Sequence, residues 1–152
     1  MKEFTDAQDR KWTITVTLGS AMAVKAALPE VDLLAPEAGE PPLLSRLISD
    51  EVLLGSVICE LLRKQMEAAA VDREDILAAF DGKTLAAAQA AFFDELRSFF
   101  QSRGRTDRAA AVAKTVVVLD RVVELAQAKV EAMQPPTELQ QIPGASSGRS
   151  RA

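Results

Sequence analysis

The chain has 152 residues, 48% of them apolar and 5% aromatic, with a net charge of −4 at neutral pH. That length suits one domain with a sizeable core, and the acidic balance argues against nucleic acid, which calls for a basic face. Histidine and tyrosine are both absent, which rules out a Ser-His-Asp triad, a Cys-His dyad and any histidine-ligated metal.

Read from the N-terminus, residues 11–18 are the clearest strand. Trp12, Ile14, Val16 and Leu18 alternate with Thr13, Thr15 and Thr17, the period-two pattern of a half-buried strand. The expected partner is Lys2–Thr5, returned through Asp6-Ala7-Gln8-Asp9-Arg10 to make a hairpin over residues 2–18. Gly19-Ser20 breaks the strand, and Ser20 is the expected cap of a short helix ending at Leu28 before Pro29. Residues 35–42 hold Pro36, Gly39, Pro41 and Pro42 and read as an exposed loop.

A short helix is predicted over 43–48. A second, capped at Ser49-Asp50-Glu51, runs to Ala70 with Leu54, Ile58, Leu61, Leu62 and Met66 on one face. Asp72-Arg73-Glu74-Asp75 opens a shorter helix that Asp81-Gly82 stops. Thr84 is the expected cap of the next, which carries Leu85, Ala88, Phe92, Leu96 and Phe99 on one stripe and ends at Gly104.

Thr106-Asp107 starts the last helix, expected to reach Gln134. Ala109, Val112, Val116, Leu119, Val123, Ala126, Val130 and Met133 alternate at three and four residues, roughly three and a half heptads. Val117, Val118, Val122 and Leu125 broaden the stripe beyond a two-stranded seam, which favours a helix packed inside a bundle. Pro135-Pro136 ends it, and residues 135–152 read as a disordered tail. The expected fold is mainly α: a small N-terminal antiparallel β-hairpin followed by a bundle of about five to six helices, in one domain over 1–134. The helical body of that domain covers residues 20–134.

No segment has the length and apolarity of a membrane span or a secretory signal core. The single cysteine, Cys59, allows no internal disulfide and sits in an apolar run, as a buried thiol in a reducing compartment would. A cytoplasmic location is therefore expected.

Three groups of side chains merit weighing. Asp72, Glu74 and Asp75, with Asp81 nearby, lack the spacing of a calcium loop and match helix capping. Arg97, Arg103, Arg105 and Arg108 gather around Gly104, as a solvated helix end or as a patch for an acidic partner. Phe92, Phe93, Leu96, Phe99 and Phe100 span a wide arc, as core or as an incompletely covered docking patch. The candidate partner-binding residues are thus Phe92, Phe93, Leu96, Phe99, Phe100, Arg103 and Arg105. The free edge of the Trp12–Leu18 strand is a second candidate surface, for self-assembly or strand addition. No catalytic, cofactor-binding or metal-binding residues are expected.

Several short segments, taken together, carry a resemblance. They are Phe4-Thr5-Asp6 with Asp9-Arg10-Lys11-Trp12-Thr13-Ile14, Val31-Asp32-Leu33-Leu34, and Pro42-Leu43-Leu44-Ser45-Arg46-Leu47. They continue as Glu51-Val52-Leu53-Leu54, Asp75-Ile76, Phe80-Asp81-Gly82, and Phe92-Phe93-Asp94-Glu95-Leu96 with Phe99-Phe100. In this layout the chain resembles the tail assembly chaperones of tailed phages and prophages, over residues 2–133. The resemblance implies a non-enzymatic protein of the host cytoplasm that binds the long helical tape-measure protein and keeps it soluble during tail assembly. It also implies the major tail protein as a further partner and admits a homo-oligomer and a longer, frameshifted form. The alternative is a structural tail component, such as a tail completion or connector protein.

Overall fold

The computed structural model describes residues 1–133; the expected tail, 135–152, lies outside them. The mainly helical class holds, with a two-stranded hairpin ahead of six helices among the described residues. Strands β1 (Lys2–Thr5) and β2 (Lys11–Ile14) pair antiparallel, with Glu3 opposite Thr13 and Phe4 opposite Trp12. The Asp6 N–H donates to the Arg10 carbonyl at 3.0 Å to close the turn. Asp9 takes a left-handed φ of 61° there, a conformation that aspartate tolerates better than most residues.

The strand is shorter than the alternation predicts. Trp12, Ile14 and Val16 are buried as expected, but pairing stops at Ile14 and Leu18 is exposed. The physical reason is a capping box. Thr17 Oγ1 accepts from the Ser20 N–H at 3.1 Å, and Ser20 Oγ accepts from the Thr17 N–H at 2.8 Å. Helix α1 (Leu18–Ala27) therefore begins three residues earlier than a Ser20 cap would place it.

The outer edge of β2 is not free at its centre. Gln65 Nε2 donates to the Thr13 carbonyl at 2.6 Å, and the Thr13 N–H donates to Gln65 Oε1 at 3.0 Å. One side-chain amide thus stands in for a third strand, which corrects the expectation of an open edge for strand addition.

Helices α2 (Leu43–Ser49), α3 (Glu51–Ala68), α4 (Arg73–Ala78), α5 (Gly82–Ser102) and α6 (Thr106–Ala132) follow. Asp50, Asp72 and Asp81 cap α3, α4 and α5 through their carboxylates. Thr84, expected as a cap, is instead buried in the first turn of α5 and gives its N–H to Asp81 at 2.8 Å. Gly104 stops α5 with a φ of 75°, and the Arg105 N–H returns to the Phe100 carbonyl at 2.9 Å, a Schellman closure. The same closure ends α3 without glycine. Ala70 sits at φ 56°, and the Val71 N–H donates to the Met66 carbonyl at 2.9 Å.

The chain divides into two compact units, the first ending at Val116. The first, Met1–Val116, contains the core. Its interior is built from Leu54, Val57, Ile58 and Leu62 of α3, the phenylalanines of α5, and Trp12 and Ile14 of the hairpin. The second unit starts at Val117, within α6.

Candidate partner-binding surface

The aromatic arc of α5 faces inward. Phe92, Phe93, Leu96 and Phe100 are buried, and Phe99 is half-buried against them. Phe92 meets Phe93 edge-on at 5.2 Å between ring centroids, and Phe99 meets Phe100 at 5.4 Å. Adjacent phenylalanines widen the buried stripe because the hairpin and α3 both pack on α5. As placed, the buried members offer no surface to a partner, which corrects the docking-patch reading for Phe92, Phe93, Leu96 and Phe100.

The arginines near Gly104 are spent locally. Arg97 pairs with Asp94 at 2.6 Å, and Arg105 grips Asp107 through two bonds of 2.8 and 3.0 Å. Hydrogen bonding from Arg105 lowers the Asp107 pKa to about 2 and raises that of Arg105. The Arg103 guanidinium stands 5.7 Å over the Phe99 ring. Arg108 pairs with Glu37 at 2.7 Å and also donates to the Leu34 carbonyl. Arg103 and Arg105 are thus brought to the same turn, but each already has a partner within the chain.

The acidic cluster is likewise accounted for by capping. Asp72 accepts from the Asp75 N–H at 2.8 Å. The bond from the Thr84 N–H lowers the Asp81 pKa. Among the described residues, no group of three or more metal-ligating side chains converges. Cys59 is buried, and desolvation raises its thiol pKa more than the charge of Arg73 lowers it; a thiol so placed is a poor nucleophile.

Two buried carboxylates escaped the sequence reading. The Asp6 side chain is enclosed and accepts four donors: Trp12 Nε1 and Arg10 Nε at 2.8 Å, and the N–H groups of Gln8 and Arg10 at 2.8 and 3.0 Å. Burial pushes its pKa up, but these bonds outweigh burial and hold it below the ordinary value. Glu95, 5% exposed, accepts from the Val16 N–H at 3.0 Å and the Met1 amino group at 2.6 Å. Both carboxylates fasten the hairpin and are fully occupied in doing so. The visible signal for Asp6 was an aspartate placed in a turn two and four residues before N–H donors, an Asx-type arrangement.

The surface that remains apolar lies on α6. Only Ala109 and Val112 of that helix are buried, and every residue from Asp120 to Met133 is exposed. Val117, Val118, Val122, Val123, Leu125, Val130 and Met133 are all exposed large hydrophobics. The sequence reading assigned this stripe to packing within the chain's own bundle; beyond Leu119 its described residues are exposed. A shallow depression over Ala126 is lined by Val123, Gln127, Val130 and Glu131. A smaller apolar groove on the first unit, ≈ 320 Å³, is lined by Val52, Leu77, Phe80 and Leu85 with Glu51 and Arg73.

Such a stripe has a physical cost when left bare. β-branched valines lose rotamer freedom in a helix, and an isolated helix draws little stability from propensity alone. Contiguous exposed apolar surface on a helix marks a place where another molecule packs. No helix among the described residues is long and apolar enough to cross a membrane, so a bilayer span does not account for it.

No family model, curated protein or solved structure matches the chain.

Proposed function

We propose that the chain is a tail assembly chaperone of a tailed phage or prophage. In this reading it works in the host cytoplasm without catalysis, binding the tape-measure protein and keeping it soluble until the tail assembles. The observation that carries the reading is the apolar face of α6 from Val117 to Met133, which nothing in the described chain covers. A long helical client needs an apolar helical surface to lie against, and it needs no titrating side chain. The resemblance of the short segments within 2–133 to such chaperones supports the same reading. The major tail protein is the further partner this reading admits.

Co-expression tests it. The chaperone reading expects the tape-measure protein encoded beside this chain to co-purify with it and to be more soluble in its presence. Val118→Asp with Leu125→Asp should abolish both effects while the first unit stays folded. Both residues are exposed, so the change removes apolar surface without opening the core. A tape-measure protein that neither co-purifies nor gains solubility would defeat the reading. Detection of the chain in purified virions would identify it as a structural tail component instead.

A further inference from the structure

We infer that α6 is a self-association helix, and that its occupant is the same helix of a second copy in parallel register. This goes beyond the proposed function and holds or fails with no client present.

The heptad pattern places Val123 and Val130 at a positions and Leu119, Ala126 and Met133 at d positions, with no charge on the seam. β-branched residues at a combined with unbranched or γ-branched residues at d favour two parallel strands. The depression on α6 matches the receiving half of such a joint. Val123, Ala126, Gln127, Val130 and Glu131 line it, and the first four stand at i, i+3, i+4 and i+7, the four-residue hole that accepts a knob from a facing helix. In parallel register the knob entering that hole is Ala126 of the other copy, so each helix supplies both halves of the joint, as two-fold symmetry requires.

Charge allows this pairing. The flanking positions place Val122 of one copy beside Gln127 of the other, and Thr115 beside Asp120, so no like charges oppose each other across the seam. Arg121 and Glu124 fall on the far side of the helix, and Glu131 borders the depression. The residues from Leu119 to Met133 make a seam only about 21 Å long. The dimer is therefore a reversible one that dissociates on dilution. Val118 and Leu125 lie off the seam and stay available to a client.

Sedimentation equilibrium of the full chain, loaded up to ~500 μM, reads this directly. The expected result is a concentration-dependent rise toward twice the 16.4 kDa chain mass. Val123→Asp with Val130→Asp should hold the mass at one chain, with the thermal midpoint of the parent measured at concentrations where the parent is itself monomeric, because both residues are exposed. Val130→Cys under mild oxidation should give a disulfide-linked dimer that the parent, whose only thiol is the buried Cys59, does not give. Parallel register brings the two 130 positions within disulfide reach, whereas antiparallel packing separates them. A parent chain that stays monomeric throughout, or an assembly that survives the double aspartate change, would overturn the inference. So would a Val130→Cys chain that fails to cross-link while the parent dimerises, because the register would then be wrong.

Discussion

At Asp6 one carboxylate does the work of a small hydrogen-bond network. Its four donors come from the turn backbone, from Arg10 and from the indole of Trp12, which is itself buried. Removing the acceptor strands the Trp12 N–H in the interior and leaves the Gln8 and Arg10 amides without a partner. Asp6→Ala should therefore destabilise the first unit by about 2–4 kcal/mol, measured by denaturant unfolding. The pH dependence has a definite sign. The folded pKa is held below the ordinary carboxylate value, so the native state releases this proton more readily than the unfolded chain. The stabilisation is complete above the unfolded value and is lost as pH falls through the folded one. Asp6→Asn should flatten the acid limb of the stability curve below pH ~4. An unaltered limb would show that Asp6 does not govern it.

Helix ends show how far local chemistry can be read. Asp50 and Asp72 cap where an acid before an apolar run predicts, and Gly104 stops α5 as a left-handed glycine should, but Asp81, expected only as the stop of α4, caps α5 in place of Thr84. The close of α3 is less legible, because alanine occupies the left-handed position at Ala70 that glycine usually fills. Packing of Val71 and Met66 onto the core compensates for that strain. Ala70→Gly should raise stability by about 1 kcal/mol, seen as a higher thermal midpoint. The start of α1 was misread for a related reason. Thr17 continues the strand alternation and is also a good N-cap, and the reciprocal bonds with Ser20 decide between the two. Heptad spacing in α6 was read correctly as apolar periodicity. It records that a face needs covering and carries no mark of whether the cover lies in the same chain. The same ambiguity attached to the α5 arc, which the hairpin and α3 cover from within.

For the whole molecule, the division at Val116 separates a part that holds the core from a part that holds exposed apolar surface. Beyond Val112 no described residue is buried, and only a few as far as Leu119 are half-buried. A chain ending after Leu119 should therefore unfold cooperatively with a midpoint within a few degrees of the full chain, by circular dichroism. A large drop would place part of the core's stability in the later turns of α6. The carboxylate of Glu95 and the amide of Gln65, both pinning the hairpin, could not be found from spacing alone. Glu95 and Val16 are 79 positions apart, and Gln65 and Thr13 are 52; only the fold brings them together.

The valine-rich stretch of α6 has a consequence for how the chain survives in solution. Thr115-Val116-Val117-Val118-Leu119 is an uncharged, proline-free run of strong strand formers, the composition from which cross-β stacks nucleate when a segment frays. Lys114 on one side and Asp120-Arg121 on the other bracket it with charge, as gatekeeper residues do. Gatekeepers slow such stacking but do not remove the run. While α6 is helical and covered, those residues are committed to intrahelical bonds and are harmless. The time the helix spends frayed sets the hazard, so a partner of the kind proposed, by holding α6 helical, would also protect the chain against its own aggregation.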